Sequence, residues 1–191
     1  MSLGPTPSQT VGPFFSFGLT TENCSVRCVA GPQAEGERVV LAFRVLDGDD
    51  APVPDAMIEI WQADANGKYN HPDDGQDKTV DPAFLGFGRA GTADDGSCAF
   101  ETIKPGRVPG PGNVLQAPHL NVAVFARGML KQLYTRIYFD RDLANREDPV
   151  LALVPEDRRE TLMAHPDSER PGVWRFDVLL QGGHETVFFD V

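Results

Sequence analysis

The sequence lacks most of the features that mark secreted, membrane or nucleic-acid-binding proteins. It has only three cysteines, and the C-x3-C pair of Cys24 and Cys28 is not followed by the second Cys or His pair that a zinc finger needs. No apolar run approaches the length of a membrane span, and no basic start with an apolar stretch indicates a signal peptide. With 17 basic and 28 acidic residues the net charge is −11, which disfavours nucleic acid as a partner. We therefore expect free thiols and a cytoplasmic location.

The sequence consists mainly of short apolar segments, which are separated by 19 glycines and 16 prolines. They are rich in Val, Ile, Phe and Tyr, and several alternate apolar and polar residues, which favours β-strands. Strands are predicted over 39–46, 57–63, 97–103, 119–126, 132–139, 173–180 and 186–191. The pattern predicts an all-β fold, an antiparallel β-sandwich, built as a single domain over residues 1–191. Gly128 is expected to form the turn of a hairpin.

Three regions depart from the strand pattern. Residues 140–165 are rich in helix formers, and Pro155 followed by acids predicts a short capped helix, so this stretch is expected to be a helical excursion outside the sheets. Residues 66–88 and 104–113 are rich in Gly, Pro, Asp and Asn and are expected to be long loops. Long loops on a rigid β framework are where function usually resides.

Candidate chemistry read from the residues alone is incomplete. Of the four histidines, only His119 lies on an apolar strand, and strand geometry places it on the same face as Asn121. A lone strand histidine is more often a hydrogen-bonded interior residue than a metal ligand. The acids Asp73, Asp74, Asp77 and Asp81 do not have EF-hand spacing, so a solvated loop is favoured over a calcium site. No phosphate-binding loop and no G-x-S-x-G motif occurs.

Several longer strings become informative when they are taken together. They are TPSQTVGPFF (6–15), IEIWQADANGKY (58–69), FGRAGTADDG (87–96), TIKPG (102–106), APHLNVAVFARG (117–128), LYTRIYF (133–139) and ETVFFDV (185–191). In this order, from Thr6 to Val191, they resemble the intradiol ring-cleavage dioxygenases. The resemblance implies a β-sandwich that holds a ferric ion through two tyrosines and two histidines, and O2-dependent cleavage of a catechol ring between its hydroxyl-bearing carbons.

The resemblance assigns the four iron ligands to four positions of this sequence. Only two of these positions hold the residue that the family uses as a ligand. The first tyrosine corresponds to Tyr69 and the first histidine to His119. The second tyrosine, expected after K-P-G, is replaced by Val108, and the second histidine of an H-x-H strand is replaced by Asn121. An arginine expected shortly before that strand is replaced by Gln116. Since valine cannot bind a metal and one anionic ligand is lost, the site is expected to be vestigial, with no iron bound by this chain.

Within the family, the loss of two iron ligands is similar to the pattern of an alpha chain that assembles with an iron-binding beta chain. The resemblance then implies that Fe(III) is held by the beta subunit of a hetero-oligomer, and that this chain shapes the pocket for a small aromatic acid and O2. Gly12, Pro13 and Arg127 are the implied substrate-binding residues, and no residue of this chain is expected to be catalytic alone. A backbone loop and an entrance arginine suit a flat, carboxylated substrate. The isolated chain is expected to be inactive and able to self-associate.

Two alternatives remain open at this point. The chain could be a divergent, self-sufficient intradiol dioxygenase with a reduced iron site, in which His71, close to Tyr69, replaces a lost ligand. It could instead be a β-sandwich assembly module with no catalytic role.

Overall fold

Eight strands form the framework of the computed structural model, which describes Gly12 and residues 17–190. The strands are β1 (Arg38–Leu46), β2 (Met57–Trp61), β3 (Phe87–Gly91), β4 (Ser97–Ile103), β5 (His119–Phe125), β6 (Leu133–Phe139), β7 (Met163–Pro166) and β8 (Val173–Leu179). They make one continuous sheet in the order β3-β2-β5-β6-β7-β8-β1-β4. The prediction of a mainly β chain is confirmed.

The sheet is nearly closed into a barrel, because residues 26–29 bridge its two edge strands. Val26 pairs with Arg89 of β3, and Cys28 pairs with Glu101 of β4. The backbone N–H of Val29 donates to the Glu101 carbonyl at 2.8 Å, which continues the contact along the β4 edge. Edge strands are otherwise open templates for aggregation, so this segment satisfies groups that would be exposed.

The antiparallel part of the prediction holds for most strand pairs but not for all. β1 pairs with β8 in parallel, and β6 pairs with β7 in parallel. A parallel pair needs a long crossover connection, which residues 140–162 supply between β6 and β7. Because the eight strands form one hydrogen-bonded sheet, the fold is barrel-like. The predicted antiparallel sandwich is therefore only partly confirmed.

Alternation along the strands fills the barrel. In β5 the side chains of Leu120, Val122 and Val124 are buried in the core, while the residues between them face outward. Aromatic rings complete the interior: Phe43 packs edge-on against Phe100 with ring centroids 5.6 Å apart. Because the side-chain period of a strand is two, this packing also fixes which residues point out of the barrel.

The excursion after β6 differs from the prediction of a capped helix. It consists of short 3₁₀ helices at Leu143–Glu147, Leu151–Leu153 and Glu156–Leu162. The last predicted residues lie in β7. A second apolar cluster of Leu151, Val154 and Leu162 packs the excursion onto Tyr138, on the outer face of β6. Short 3₁₀ turns suit a segment that follows a surface and buries one side chain at a time.

Three further differences from the prediction concern strands, whereas the cysteines agree with it. Within its described residues, the predicted strand 186–191 forms an isolated bridge from Phe189 to Tyr134 in place of a regular strand. The short β7 already pairs with the other end of the same edge of β6. β3 and β7 lay outside the predicted strands. Cys24, Cys28 and Cys98 are free thiols, as expected.

Gly88 in β3 provides a test of how tightly the closed sheet is packed. A Cβ atom at this position would lie 2.8 Å from side-chain atoms of both Ile60 and Val29 and 2.9 Å from Phe100. We expect Gly88→Ala to lower the free energy of unfolding by about 1–3 kcal/mol, measured by urea denaturation. Gly75→Ala is the control, since nothing lies within 4 Å of its Cβ position. Equal stability of the two variants would contradict the tight contact.

Candidate functional site

The candidate site lies on the outer face of the barrel, where three neighbouring strands bring three polar or aromatic side chains into a row. Trp61 of β2 is paired with Asn121 of β5, and Asn121 is paired with Arg136 of β6. Directly opposed residues on adjacent strands project to the same side of the sheet. The row therefore sets Asn121 between an indole ring and a guanidinium.

A rigid loop delivers Tyr69 to this row. The buried Lys68 ammonium donates to the carbonyls of Asp74 at 2.6 Å and Gln76 at 2.8 Å, and lies 3.3 Å from the Asp74 carboxylate. The Tyr69 N–H donates to the same carboxylate at 2.8 Å. Burial opposes ionisation of Asp74, but hydrogen bonds from Gln76, Tyr69 and Lys68 outweigh it and lower its pKa to about 2. The Tyr69 ring stacks on Trp61 at 5.9 Å.

The Tyr69 hydroxyl is protonated at neutral pH in this environment. Burial of the ring raises its pKa, although the Arg136 guanidinium and a hydrogen bond with the Asn121 side chain act in the opposite direction. A bound cation would itself favour the phenolate, so this protonation state describes the chain without a metal.

Val108 is buried and lines the same cleft as Tyr69. Its carbonyl accepts from the Gln116 N–H at 2.8 Å, which closes the loop between these two residues just before β5 begins. The cleft has a volume of about 360 Å³, and its walls include Trp61, Tyr69, His71 and Pro109. An isopropyl group thus occupies the wall where the resemblance expects a second tyrosine.

His119 is almost fully buried at the start of β5. Its Nδ1 lies 2.8 Å from the Ala117 carbonyl, so this nitrogen carries the proton. Nε2 is then an acceptor, and it has no hydrogen-bond partner within the described residues. Burial, aided by the charge of Arg136, lowers the pKa of His119 to about 4. The ring is neutral at neutral pH.

Arg136 brings a positive charge into this site that sequence reasoning did not single out. Its Nη1 donates to Gln116 Oε1 at 2.6 Å, and its guanidinium partly offsets the effect of burial, which raises the pKa of the Tyr138 hydroxyl. The Tyr138 hydroxyl donates in turn to the buried Asp148 at 3.1 Å. Gln116, which stands where the resemblance expects an arginine, is therefore the acceptor for an arginine from the next strand. The alternation of side chains along a strand predicts that Arg136 points to the outer face. Its position beside Asn121 follows only once the pairing of the two strands is known.

Comparisons with known proteins agree with this geometry. A dioxygenase family model matches residues 10–182 of the chain. The chain belongs to the intradiol ring-cleavage dioxygenase family. It is 45% identical to the protocatechuate 3,4-dioxygenase alpha chain of Burkholderia cepacia, covering 100% of this chain and 99% of that one. The beta chain from the same organism is 36% identical, over 79% of this chain and 67% of its own length.

A solved structure shows the same family fold. The dioxygenase domain of a dioxygenase carbohydrate-binding protein fusion from Streptomyces sp. SirexAA-E superposes with a TM-score of 0.63. It is 26% identical, and the match covers 94% of this chain and all of that domain.

The residues at the family's iron position do not fit a ferric ion. Val108 offers no donor atom, and Asn121 offers only a neutral amide where the resemblance expects a histidine, so two of the four donors are missing or weak. The Arg136 guanidinium, which lowers the pKa of both His119 and Tyr69, would also repel a trivalent cation. Among the residues described, no group of three or more His, Cys, Asp or Glu side chains could hold a metal ion. That this chain binds no iron remains a prediction, with a test given below.

His71 and the loop acids are only partly brought to the site. His71 lines the cleft beside Tyr69 and packs edge-on against Trp61 at 6.2 Å, but its Nδ1 accepts from the Asp73 N–H at 3.2 Å. The four acids serve different partners: Asp74 binds Lys68, whereas Asp81 accepts from the backbone of Glu35 and Ala83. Their loop positions do not form a calcium cage.

Of the implied substrate-binding residues Gly12, Pro13 and Arg127, the structure places Arg127 away from this row. Arg127 is exposed in the β5–β6 hairpin, with its Nη2 3.7 Å from Asp55 Oδ2. It is six residues from Asn121, which corresponds to about 20 Å along an extended strand. Gly12 is exposed, with no atom within 4 Å of a Cβ built on it, and Pro13 lies outside the described residues. At that separation along the strand, Arg127 does not reach a molecule bound at the Tyr69 cleft.

No helix in the part of the chain that the structure describes is both long enough and apolar enough to cross a membrane.

The buried His119 predicts a specific dependence of stability on pH. An unfolded histidine takes up a proton near pH 6.5, whereas the folded one does so only near pH 4, so stability falls as the pH drops through this window. We expect His119→Asn, which keeps a donor for the Ala117 carbonyl, to remove about 2 kcal/mol of the loss between pH 7 and pH 4.5. Urea denaturation at several pH values measures it. His165→Asn, a change at a half-exposed histidine, is the control, and parallel curves for wild type and His119→Asn would contradict the assignment.

Proposed function

We propose that this chain is the alpha subunit of a protocatechuate 3,4-dioxygenase and acts in a complex with an iron-binding beta subunit. The reaction is the intradiol cleavage of protocatechuate by O2 to 3-carboxy-cis,cis-muconate, in which both oxygen atoms enter the product. Fe(III) on the beta subunit supplies the oxidation chemistry. The observation that carries the proposal is the end-to-end similarity to an alpha chain, together with a donor set that does not fit iron.

Arg127 is proposed to be this chain's electrostatic contribution to the partner's pocket. Its ion pair with Asp55 is long and exposed on both sides, and such pairs contribute little to stability. The guanidinium can therefore exchange Asp55 for the carboxylate of an aromatic acid. Gly12 and Pro13 are proposed to line the same pocket, with exposed backbone facing the flat ring. The distance of Arg127 from the Tyr69 cleft supports a role at a site shared with another chain.

The proposed complex can be tested by coexpression with the cognate beta chain. We expect a stable hetero-oligomer, and we expect Arg127→Ala to lower kcat/KM for protocatechuate roughly tenfold or more, because a charge-assisted contact is lost. Catechol, which lacks the carboxylate, should be affected much less. Arg141→Ala removes an exposed charge at the other end of β6 and serves as the control.

Two results would contradict parts of this proposal. If no complex forms with the beta chain, the assignment as an alpha subunit is wrong. If the complex forms but Arg127→Ala leaves both substrates unchanged, the chain contributes assembly contacts only, as the non-catalytic module would.

A self-sufficient enzyme with a reduced iron site is the second candidate, because His71 and Tyr69 line one cleft. Iron content and visible absorption of the purified chain, expressed alone with added iron, separate the two. Iron near one equivalent, with tyrosinate absorption that Tyr69→Phe abolishes, would favour the second candidate. Iron well below one equivalent, unchanged by Tyr69→Phe, is expected.

Restoring the lost ligands tests why the site does not fit iron. We expect Val108→Tyr combined with Asn121→His to bind iron poorly, because the Arg136 guanidinium still repels the ion. Adding Arg136→Gln to this pair should raise the iron retained after dialysis. If the double variant already retains a full equivalent, the charge of Arg136 is not what opposes the metal.

A further inference from the structure

Arg127, in the turn of the β5–β6 hairpin, has one carboxylate within ion-pair distance among the residues described, that of Asp55. The Arg127 Nη2 lies 3.7 Å from Asp55 Oδ2, which is beyond hydrogen-bond distance, and both side chains are more than half exposed. The antiparallel pairing of Met57 with Phe125, continued by two residues, sets Asp55 directly opposite Arg127. The pair therefore lies just beyond the ends of β2 and β5.

The backbone around Asp55 is fixed on both sides by the hydroxyl of Thr92. This hydroxyl accepts from the Ala56 N–H at 2.9 Å and donates to the Val53 carbonyl at 2.9 Å. Asp55 itself has a φ of 60°, in the left-handed region that Asp and Asn adopt more readily than other residues with a side chain. The carboxylate is thus anchored beside a long arginine side chain that can change its rotamer.

The two charges have different effects on an anion that approaches Arg127. At short range the guanidinium offers a planar fork of donors that fits one carboxylate. At longer range the negative charge of Asp55 offsets the positive charge, so additional negative charges on a ligand gain little attraction. Once Arg127 turns towards a ligand, the anchored Asp55 carboxylate is left unpaired and repels the ligand's remaining negative charges.

The proposed reaction increases the negative charge of the molecule that is bound. Protocatechuate carries one carboxylate. When the bond between its two hydroxyl-bearing carbons breaks, each of these carbons takes up one oxygen atom of O2 and becomes a carboxylate, and two protons are released. The product is therefore a trianion. A pocket with an uncompensated positive charge would hold this product more tightly than the substrate, because Coulomb attraction grows with the charge of the ligand.

We propose that Asp55 is a specificity-determining residue that acts through Arg127, weakening the binding of the trianionic product more than that of the monoanionic substrate. The donor fork of Arg127 recognises the substrate carboxylate, and the fixed Asp55 carboxylate favours release of the product. Nothing in the sequence around Asp55 suggested this role, since it depends on the pairing of β2 with β5. It rests on the proposed function of the chain as an alpha subunit.

The complex with the cognate beta chain can be used to measure KM for protocatechuate and the inhibition constant of 3-carboxy-cis,cis-muconate. In Asp55→Asn, which suits the same left-handed backbone, we expect the inhibition constant to fall roughly fivefold or more and KM to fall about twofold or less. The difference from wild type should shrink at about 0.5 M salt, where charges are screened over a few ångströms. Asp190→Asn, which removes an equally exposed carboxylate from an ion pair with Lys131, is the control and should leave both constants unchanged.

Three results would overturn the role of Asp55. They are a ratio of KM to the inhibition constant that stays at the wild-type value in Asp55→Asn, a rise in KM, which would mean that Asp55 only positions Arg127, and an equal change in Asp190→Asn. If the complex forms and Arg127→Ala lowers kcat/KM, any of these results contradicts the role of Asp55 alone. If no complex forms, the proposed function is wrong and the role of Asp55 falls with it.

Discussion

The register of β5 between β2 and β6 is the constraint on which the chemistry of this protein depends. Leu120, Val122 and Val124 anchor the strand in the barrel, and a slip by one residue would turn them outward. The same register places Asn121 between Trp61 and Arg136. Because the core fixes the pairing, the polar row on the outer face has no freedom to rearrange. What can bind there is set by which side chains the row holds.

Those side chains lack donors that the family uses for iron. A ferric ion needs anionic oxygen donors, but the position that could supply a second phenolate holds Val108. At the same time a fixed positive charge, Arg136, reaches the row from β6. The two changes act in the same direction, since a guanidinium disfavours a cation and favours a carboxylate.

Alternating patterns predicted the strands that carry this site, but not the way the strands meet. β1, β4, β5 and β6 follow their apolar periodicity closely, because each buries one face in the barrel. β3 was missed since two of its five residues are glycines, and β7 since it is short and follows helix-forming residues. Tyr69, Val108, His119 and Asn121 were located through family resemblance. Arg136 was not, because its role arises from cross-strand pairing, which no spacing along the chain reveals.

Simple decay of an iron site does not account for all the residues that remain. Decay toward a more stable protein would replace polar ligands by apolar side chains, as Val108 illustrates, because burying an unpaired polar atom costs free energy. Yet His119 keeps a buried Nε2 without a partner in the described chain, and Arg136 stands half-buried among neutral groups. Both groups therefore keep a cost that replacement by apolar side chains would have removed, so loss of the metal ligands at this position did not run to completion.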